Sequence, residues 1–383
     1  MDIENAIAEF LQVERKRVPA SLQSFYADFE GLYDLKLWHQ LTLKVEEFAR
    51  QTEAAPFLIP LYEHFVVDWE KKMNQIKLVL IAVATARQYR DFRDALEFMR
   101  TIQSKVNNDD SQDAYVLAQL EAGHFELLLG NLDATLAALE ASEKILDGFN
   151  SVEPVIHASF YRVAADYYKA KADFGQYYKN ALLYLACVSL DALSAAEKTE
   201  RAHDLALAAL LSEKIYNFGD LLMHPILDVL KDTEHAWLCD VLAAFNAGEI
   251  AKFASFAGHF NKQPLLQSHL AFLRQKVCLM TLIEVMFKHI SQTRHIGFDI
   301  VAQEARLPLD EVEHLVMKAL SLELIRGSID QVEQAINLEW VQPRFLGKTQ
   351  IKAMAEQLDQ WKDKVHQMVV QMEQQSPELF VQN

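Results

Sequence analysis

The sequence predicts an all-α solenoid of TPR/HEAT-like helix pairs, followed by a winged-helix module with a small β-wing and a C-terminal helix. Three observations carry this. Glycine and proline number only 11 and 9 in 383 residues, about half of ordinary usage or less, so few turns need special backbone geometry and long helices are expected. Turn-like segments recur at helix-pair intervals between Phe92 and Ile250. Apolar spacing then changes from helical to alternating after Gly327, and returns to helical beyond Pro343.

Four segments follow: an N-terminal helical region (1–110), a helical-repeat solenoid (111–290), a winged helix (291–344), and a terminal helix with tail (345–383). In the first, Pro19, Pro56 and Pro60 interrupt helical spacing, and helices are expected across Leu35–Arg50 and Gln75–Ala86. The run NNDDSQD at Asn107–Asp113 reads as a polar loop, because Asn, Asp and Ser side chains compete for backbone hydrogen bonds. The repeat is traced through YRDFRDAL around Phe92, LGNLDATL around Leu132, KADFGQYY around Phe174, YNFGDLLM around Phe218 and NAGEIAKF around Ile250. The separations of 40, 42, 44 and 32 residues lie near those of helix-pair repeats. At each turn a small or polar residue bends the chain and one apolar residue docks back into the hairpin. Such pairs cannot bury their apolar faces alone, so neighbours stack. An irregular bundle with coincident turns is the alternative that drifting spacing leaves open. Phe160, Tyr161, Tyr167, Tyr168, Phe174, Tyr177 and Tyr178 are assigned to packing between helices rather than to a cofactor.

The winged helix starts at Arg294. Ile300, Val301 and Ala305 form a short apolar face, Leu307-Pro308-Leu309-Asp310 breaks it, and Val312, Leu315, Val316, Ala319, Leu320 and Leu322 restart it. Asp310, with Glu313 three residues on, is the expected cap. Ile325, Gly327 and Ile329 then share one side of a strand, and Ile336, Leu338 and Trp340 one side of the next. A two-stranded wing leaves an edge able to accept a neighbour's strand, with Ala335, Asn337, Glu339 and Val341 as candidate contacts on the opposite face. A wing tucked against its own domain is the alternative. Between Arg294 and Pro343, four Lys/Arg face nine Asp/Glu, a net charge of −5. Phosphate approach is unfavourable, so the module is expected to bind protein and not nucleic acid.

In the terminal helix, Ile351, Met354, Leu358, Trp361, Val365, Met368 and Met372 alternate spacings of 3 and 4, a heptad seam over three repeats. The seam either joins partner helices or folds back onto its own domain.

Composition excludes several chemistries. A net charge of −17 opposes general nucleic-acid binding. Cys187, Cys239 and Cys278 form no CxxC and indicate neither a disulfide framework nor a zinc knuckle, which fits a reducing compartment. No basic start with an apolar core opens the chain, and apolar runs such as Leu78–Ala86 are too short to span a bilayer, so no membrane partner is expected. The 13 histidines form no HxH, HExxH or HxxEH, and neither GxGxxG nor GxSxG occurs. Gly347-Lys348-Thr349 imitates the end of a phosphate loop, but Gln342 stands where its first glycine belongs. His224-Pro225 reads as a helix start. The clusters Glu30–Asp34, Asp109–Asp113 and Asp310–Glu313 read as exposed turns and helix starts. Catalytic, cofactor and metal residues are therefore all expected to be none.

The segment LVMKALSLELIRGSIDQVEQAINLEWVQPR, with YNFGDLLMHPIL and AFNAGEI before it, resembles the PCI domain. This fold is shared by subunits of the proteasome lid, the COP9 signalosome and a translation initiation factor complex. The resemblance is weak before Asp110, strong from Tyr177 onward, and nearest to the proteasome lid. It implies that 111–290 contains the helical part of the PCI domain. It also implies a non-catalytic scaffold subunit of the 26S regulatory particle lid, acting in lid assembly and ubiquitin-dependent protein degradation. Partners would be other PCI-domain lid subunits of a hetero-oligomeric complex in cytoplasm and nucleus, joined through winged helices and a bundle of C-terminal helices. A COP9 signalosome or initiation factor subunit is the alternative within the fold, and a winged-helix nucleic-acid adaptor the alternative outside it.

Overall fold

A computed structural model describes residues 2–108, 111–149, 153–260, 263–289, 294–343 and 348–375. Asp109, Asp110 and Gly347, each part of a motif above, lie outside the described residues. The chain divides into two compact units, Met1–Ser194 and Ala195–Asn383.

The first unit is a stack of antiparallel helices: α1 (Asp2–Arg17), α2 (Gln23–Asp34), α3 (Trp38–Ala49), α4 (Gln75–Ala86), α5 (Phe92–Val106), α6 (Gln112–Leu128), α7 (Leu132–Leu146), α8 (Pro154–Lys171) and α9 (Phe174–Cys187). Between α3 and α4, Thr52–Lys72 runs through short tight and widened turns, the first holding Pro56. The helix expected from Leu35 starts at Trp38 instead, because Lys36 takes a left-handed conformation (φ 57°) that closes α2 first. No glycine advertises that turn.

Three repeat anchors, Phe92, Leu132 and Phe174, are the first residues of α5, α7 and α9. Asp91 and Asp173 cap α5 and α9 by accepting from the Arg93 and Gln176 amides. The pairs α4/α5, α6/α7 and α8/α9 then pack in succession. The anchors do not all dock inward: Phe92 and Leu132 are exposed, since Ala95, Leu96 and Met99 already fill the core side of α5, and Leu139 that of α7.

One apolar cluster runs from Ile7 to Tyr167, across the division expected near residue 110. Its N-terminal end is aromatic. Phe48 meets Tyr26 and Phe29 edge-on at 5.6 and 5.7 Å, and Trp38 stacks on Trp69 at 6.2 Å. Of the aromatic residues assigned to packing, Tyr167, Tyr177 and Tyr178 are buried and Phe160, Tyr161, Tyr168 and Phe174 half-buried.

Ion pairs join neighbouring helices of the stack: Lys77 to Glu46 at 2.6 Å, Arg100 to Glu126, and Arg162 to Glu121. The last links α6 to α8 in the interior. Burial alone would raise the Glu121 carboxyl, but Arg162 and then Arg87 outweigh it and hold it below the usual carboxylate range.

In the second unit, α10 (Ala195–Leu211), α11 (Ala236–Ala247), α12 (Ile250–Ser255) and α13 (Leu270–His289) are joined by short helical turns. Two of these begin at Gly219, just after the anchor Phe218, and at Pro225, where the His224 ring accepts from the Ile226 amide. Ile250 starts α12. Lys276 of α13 is fully buried. Its Nζ donates to the carbonyls of Ala209, Leu210 and Ser212 at 2.8, 3.1 and 2.6 Å, closing the C-terminus of α10. The rings of Phe218 and Tyr216 stand 5.2 and 5.5 Å away.

Two expectations follow for stability. Arg162→Leu strands a buried carboxylate and should cost about 3–5 kcal/mol in urea unfolding, while Glu121→Leu combined with Arg162→Leu costs markedly less. Equal losses would mean the pair is not buried as described. Burial pulls the Lys276 amine down to about 7 from 10.5. Below that pH both the folded and the unfolded chain bind the proton; between it and 10.5 only the unfolded chain does. Stability relative to Lys276→Met should therefore rise from pH 7 to pH 9 in thermal unfolding, and a flat or falling difference would contradict this.

Candidate partner interfaces

After α13 the chain forms β1 (His295–Gly297), α14 (Phe298–Ala305), α15 (Leu309–Ser321), β2 (Ile325–Asp330) and β3 (Ala335–Val341). Helix, turn, helix and wing are in the expected order, with α13 packing against α14, α15 and β3. Pro308, not Asp310, precedes α15, and Asp310 lies in its first turn with no cap bond from Pro308.

The wing has three strands, not two. The order is β1-β3-β2, all antiparallel, so β3 is central. Only three residues long, β1 carries no alternation that a sequence could show. It pairs with β3 at Ala335, Ile336 and Asn337. Trp340 and Val341 of β3 pair only with β2, and the outer edge of β2 has no strand beside it among the described residues.

A bulge reorders the faces. Arg326 lies opposite Trp340 and Gly327 opposite Leu338, which leaves Glu339 without an opposite residue. Inward positions thus run Ile336, Leu338, Val341: Val341 is 8% exposed, Trp340 38%. The strands close tightly here, since a Cβ on Gly327 would overlap the Asn337 carbonyl oxygen. On the outer face the Arg326 guanidinium sits 5.1 Å from the centre of the Trp340 ring.

The four edge candidates are therefore not equivalent, and the expectation that they share one solvent face is corrected. Ala335 and Val341 are buried. Asn337 is exposed but lies between two strands, its Oδ1 2.8 Å from the His295 ring Nδ1. Glu339 alone is both exposed and on the part of β3 paired on one side.

The terminal helix α16 (Lys348–Gln375) has 28 residues, about 42 Å at 1.5 Å per residue. Every described side chain from Ile351 to Val369 is exposed. Ile351, Met354, Leu358, Trp361, Val365, Met368 and Met372 are 43 to 66% exposed, and Val369, outside the strict heptad, widens their stripe. The fold-back alternative is not the arrangement seen. Ion pairs such as Lys362–Asp359 at 3.1 Å stay within the helix.

Among the described residues, no group of three or more His, Cys, Asp or Glu is placed to hold a metal ion. No described helix is long and apolar enough to cross a membrane.

Comparison with known families matches residues 25–242 to the PSD13 N-terminal repeats and residues 253–340 to the PCI domain. The chain belongs to the PSD13 family. Relatives of this PSD13-family chain include the probable 26S proteasome regulatory subunit rpn9 of Schizosaccharomyces pombe, 41% identical over 95% of this chain and 96% of the relative. The 26S proteasome non-ATPase regulatory subunit 13 homolog B of Arabidopsis thaliana is 37% identical over 98% and 99%. The eukaryotic translation initiation factor 3 subunit M of Yarrowia lipolytica is 25% identical over 43% of this chain and 41% of its own. The initiation factor alternative is thus the less favoured one.

The bulge gives a direct check. Val341→Asp should cost more than about 2 kcal/mol in chemical unfolding and Trp340→Asp less than about 1, whereas uninterrupted alternation would give the reverse ranking.

Proposed function

We propose that this chain is a non-catalytic scaffold subunit of the 26S proteasome regulatory particle lid, acting in lid assembly and ubiquitin-dependent protein degradation. The relatives that match nearly its whole length are named as regulatory subunits of that assembly. The observations carrying the mechanism are the exposed heptad stripe of α16 and, separately, the wing's open edge among the described residues. The two surfaces divide the work. The outer edge of β2 and the end of β3 at Glu339 offer unpaired amides and carbonyls to a neighbouring PCI-domain lid subunit, where strand geometry fixes orientation. The α16 seam joins a bundle with the C-terminal helices of other subunits, where apolar burial supplies the holding energy. Cytoplasm and nucleus are the locations proposed for this role.

The acidic winged helix supports a protein rather than a nucleic-acid partner, given its excess of carboxylates over cations. No metal- or nucleophile-centred chemistry is part of the role.

Burying the seam contributes about 1.5–3 kcal/mol per fully covered large side chain. Leu358→Asp combined with Trp361→Asp should lower incorporation into the lid at least about tenfold, measured by co-purification with tagged lid subunits. The unfolding temperature of the isolated chain should stay unchanged, because both side chains are already in water. Co-purification at wild-type yield would exclude the bundle; unfolding of the isolated variant would place the helix in its own core.

A further inference from the structure

We propose that the solvent face of the α2–α3 hairpin is a docking groove for one amphipathic helix of a partner protein, aliphatic on its inner face and basic on its flanks. This goes beyond the two interfaces above and lies wholly within the first unit. Towards the core, α2 buries Tyr26 and Phe29 and α3 buries Leu41, Val45 and Phe48. On the opposite side the two helices enclose a depression of about 570 Å³, with Gly31 in its lining. Leu35 and Leu43 stand at its sides, 69% and 45% exposed.

The shape suits a helix. Ala27 and Gly31 of α2 and Leu35 just past its end recur every four residues, while Gln40, Leu43 and Glu47 recur at three and four along α3. Two such rows form ridges, and the interval between them accepts the ridge of a third helix. Gly31 supports close approach. It lies inside α2, where glycine weakens a helix relative to alanine, yet an added Cβ would meet nothing within 4 Å. No contact within the chain requires it, whereas a partner's side chain reaching the floor would.

Charge selects the occupant. Asp28 and Glu47 stand on the rim with Lys44 between them, its Nζ 3.9 Å from Asp28 and 3.0 Å from Glu47. One ammonium serves two carboxylates, so the rim stays net negative, within a chain of net charge −17. Lysine or arginine on the flanks of the incoming helix completes the set.

The test uses the full chain and three fluorescent 18-residue peptides: a helix with a Leu/Ala face and Lys flanks, the same face with Glu flanks, and a scramble of the first. Anisotropy should show the Lys-flanked helix binding at least tenfold tighter than either control. Gly31→Leu, which alters no charge, should weaken that binding at least tenfold without lowering the unfolding temperature. Should that variant lose stability, Leu35→Glu replaces it with the same loss expected. Equal binding of the amphipathic and scrambled Lys peptides, or binding indifferent to these variants, overturns the proposal, since only diffuse charge attraction would remain. All arms are read on the isolated chain, so they stand or fall apart from lid assembly.

Discussion

A helix pair with an apolar face has to be covered by the next pair, and the first unit is built from that constraint. Ala95, Met99 and Ile102 of α5 and Leu117 and Leu120 of α6 belong to one continuous cluster because neither helix can keep those side chains in water alone. Apolar contact is indifferent to register; charge is not. Glu46 with Lys77, Arg100 with Glu126 and Glu121 with Arg162 each give a pair of facing helices a defined partner position. The interior pair adds little net stability, since desolvation opposes attraction, but a shifted stack would leave Glu121 buried without its cation. Packing thus supplies the driving force and the ion pairs penalise the wrong alignment.

The second unit meets a similar problem at its helix ends. The last carbonyls of α10 cannot be satisfied within the helix, and three of the carbonyls around that end converge on a single side chain from α13. Lysine brings three donors to that point as an ammonium and two as a neutral amine, so deprotonation above about pH 7 leaves one of the three carbonyls without a donor.

Much of this was legible in the sequence where one residue determines one backbone event. Asp91-Phe92 and Asp173-Phe174 mark helix starts because a short acidic side chain before an apolar residue caps a helix. The change to period two after Gly327 placed the wing correctly. What stayed hidden depends on partners distant in sequence. Nothing in His295-Ile296-Gly297 announces a strand; it is one because Ala335–Asn337 lies beside it. Trp340 looked inward by strict alternation, and only the pairing with Arg326 shows that Glu339 shifts the count by one. The seam of α16 was readable as a pattern, but its exposure was not, because periodicity reports which side chains share a face and not what covers them.

In the proposed assembly, that exposure is what would distinguish a free from an incorporated copy of the chain. A free copy carries seven large apolar side chains in one stripe open to water, the surface that chaperones and quality-control proteases recognise. A copy whose stripe is covered by other helices carries no such signal. In the proposed role, the side chains that would hold the subunit in a complex are thus the same ones that mark a copy left without partners.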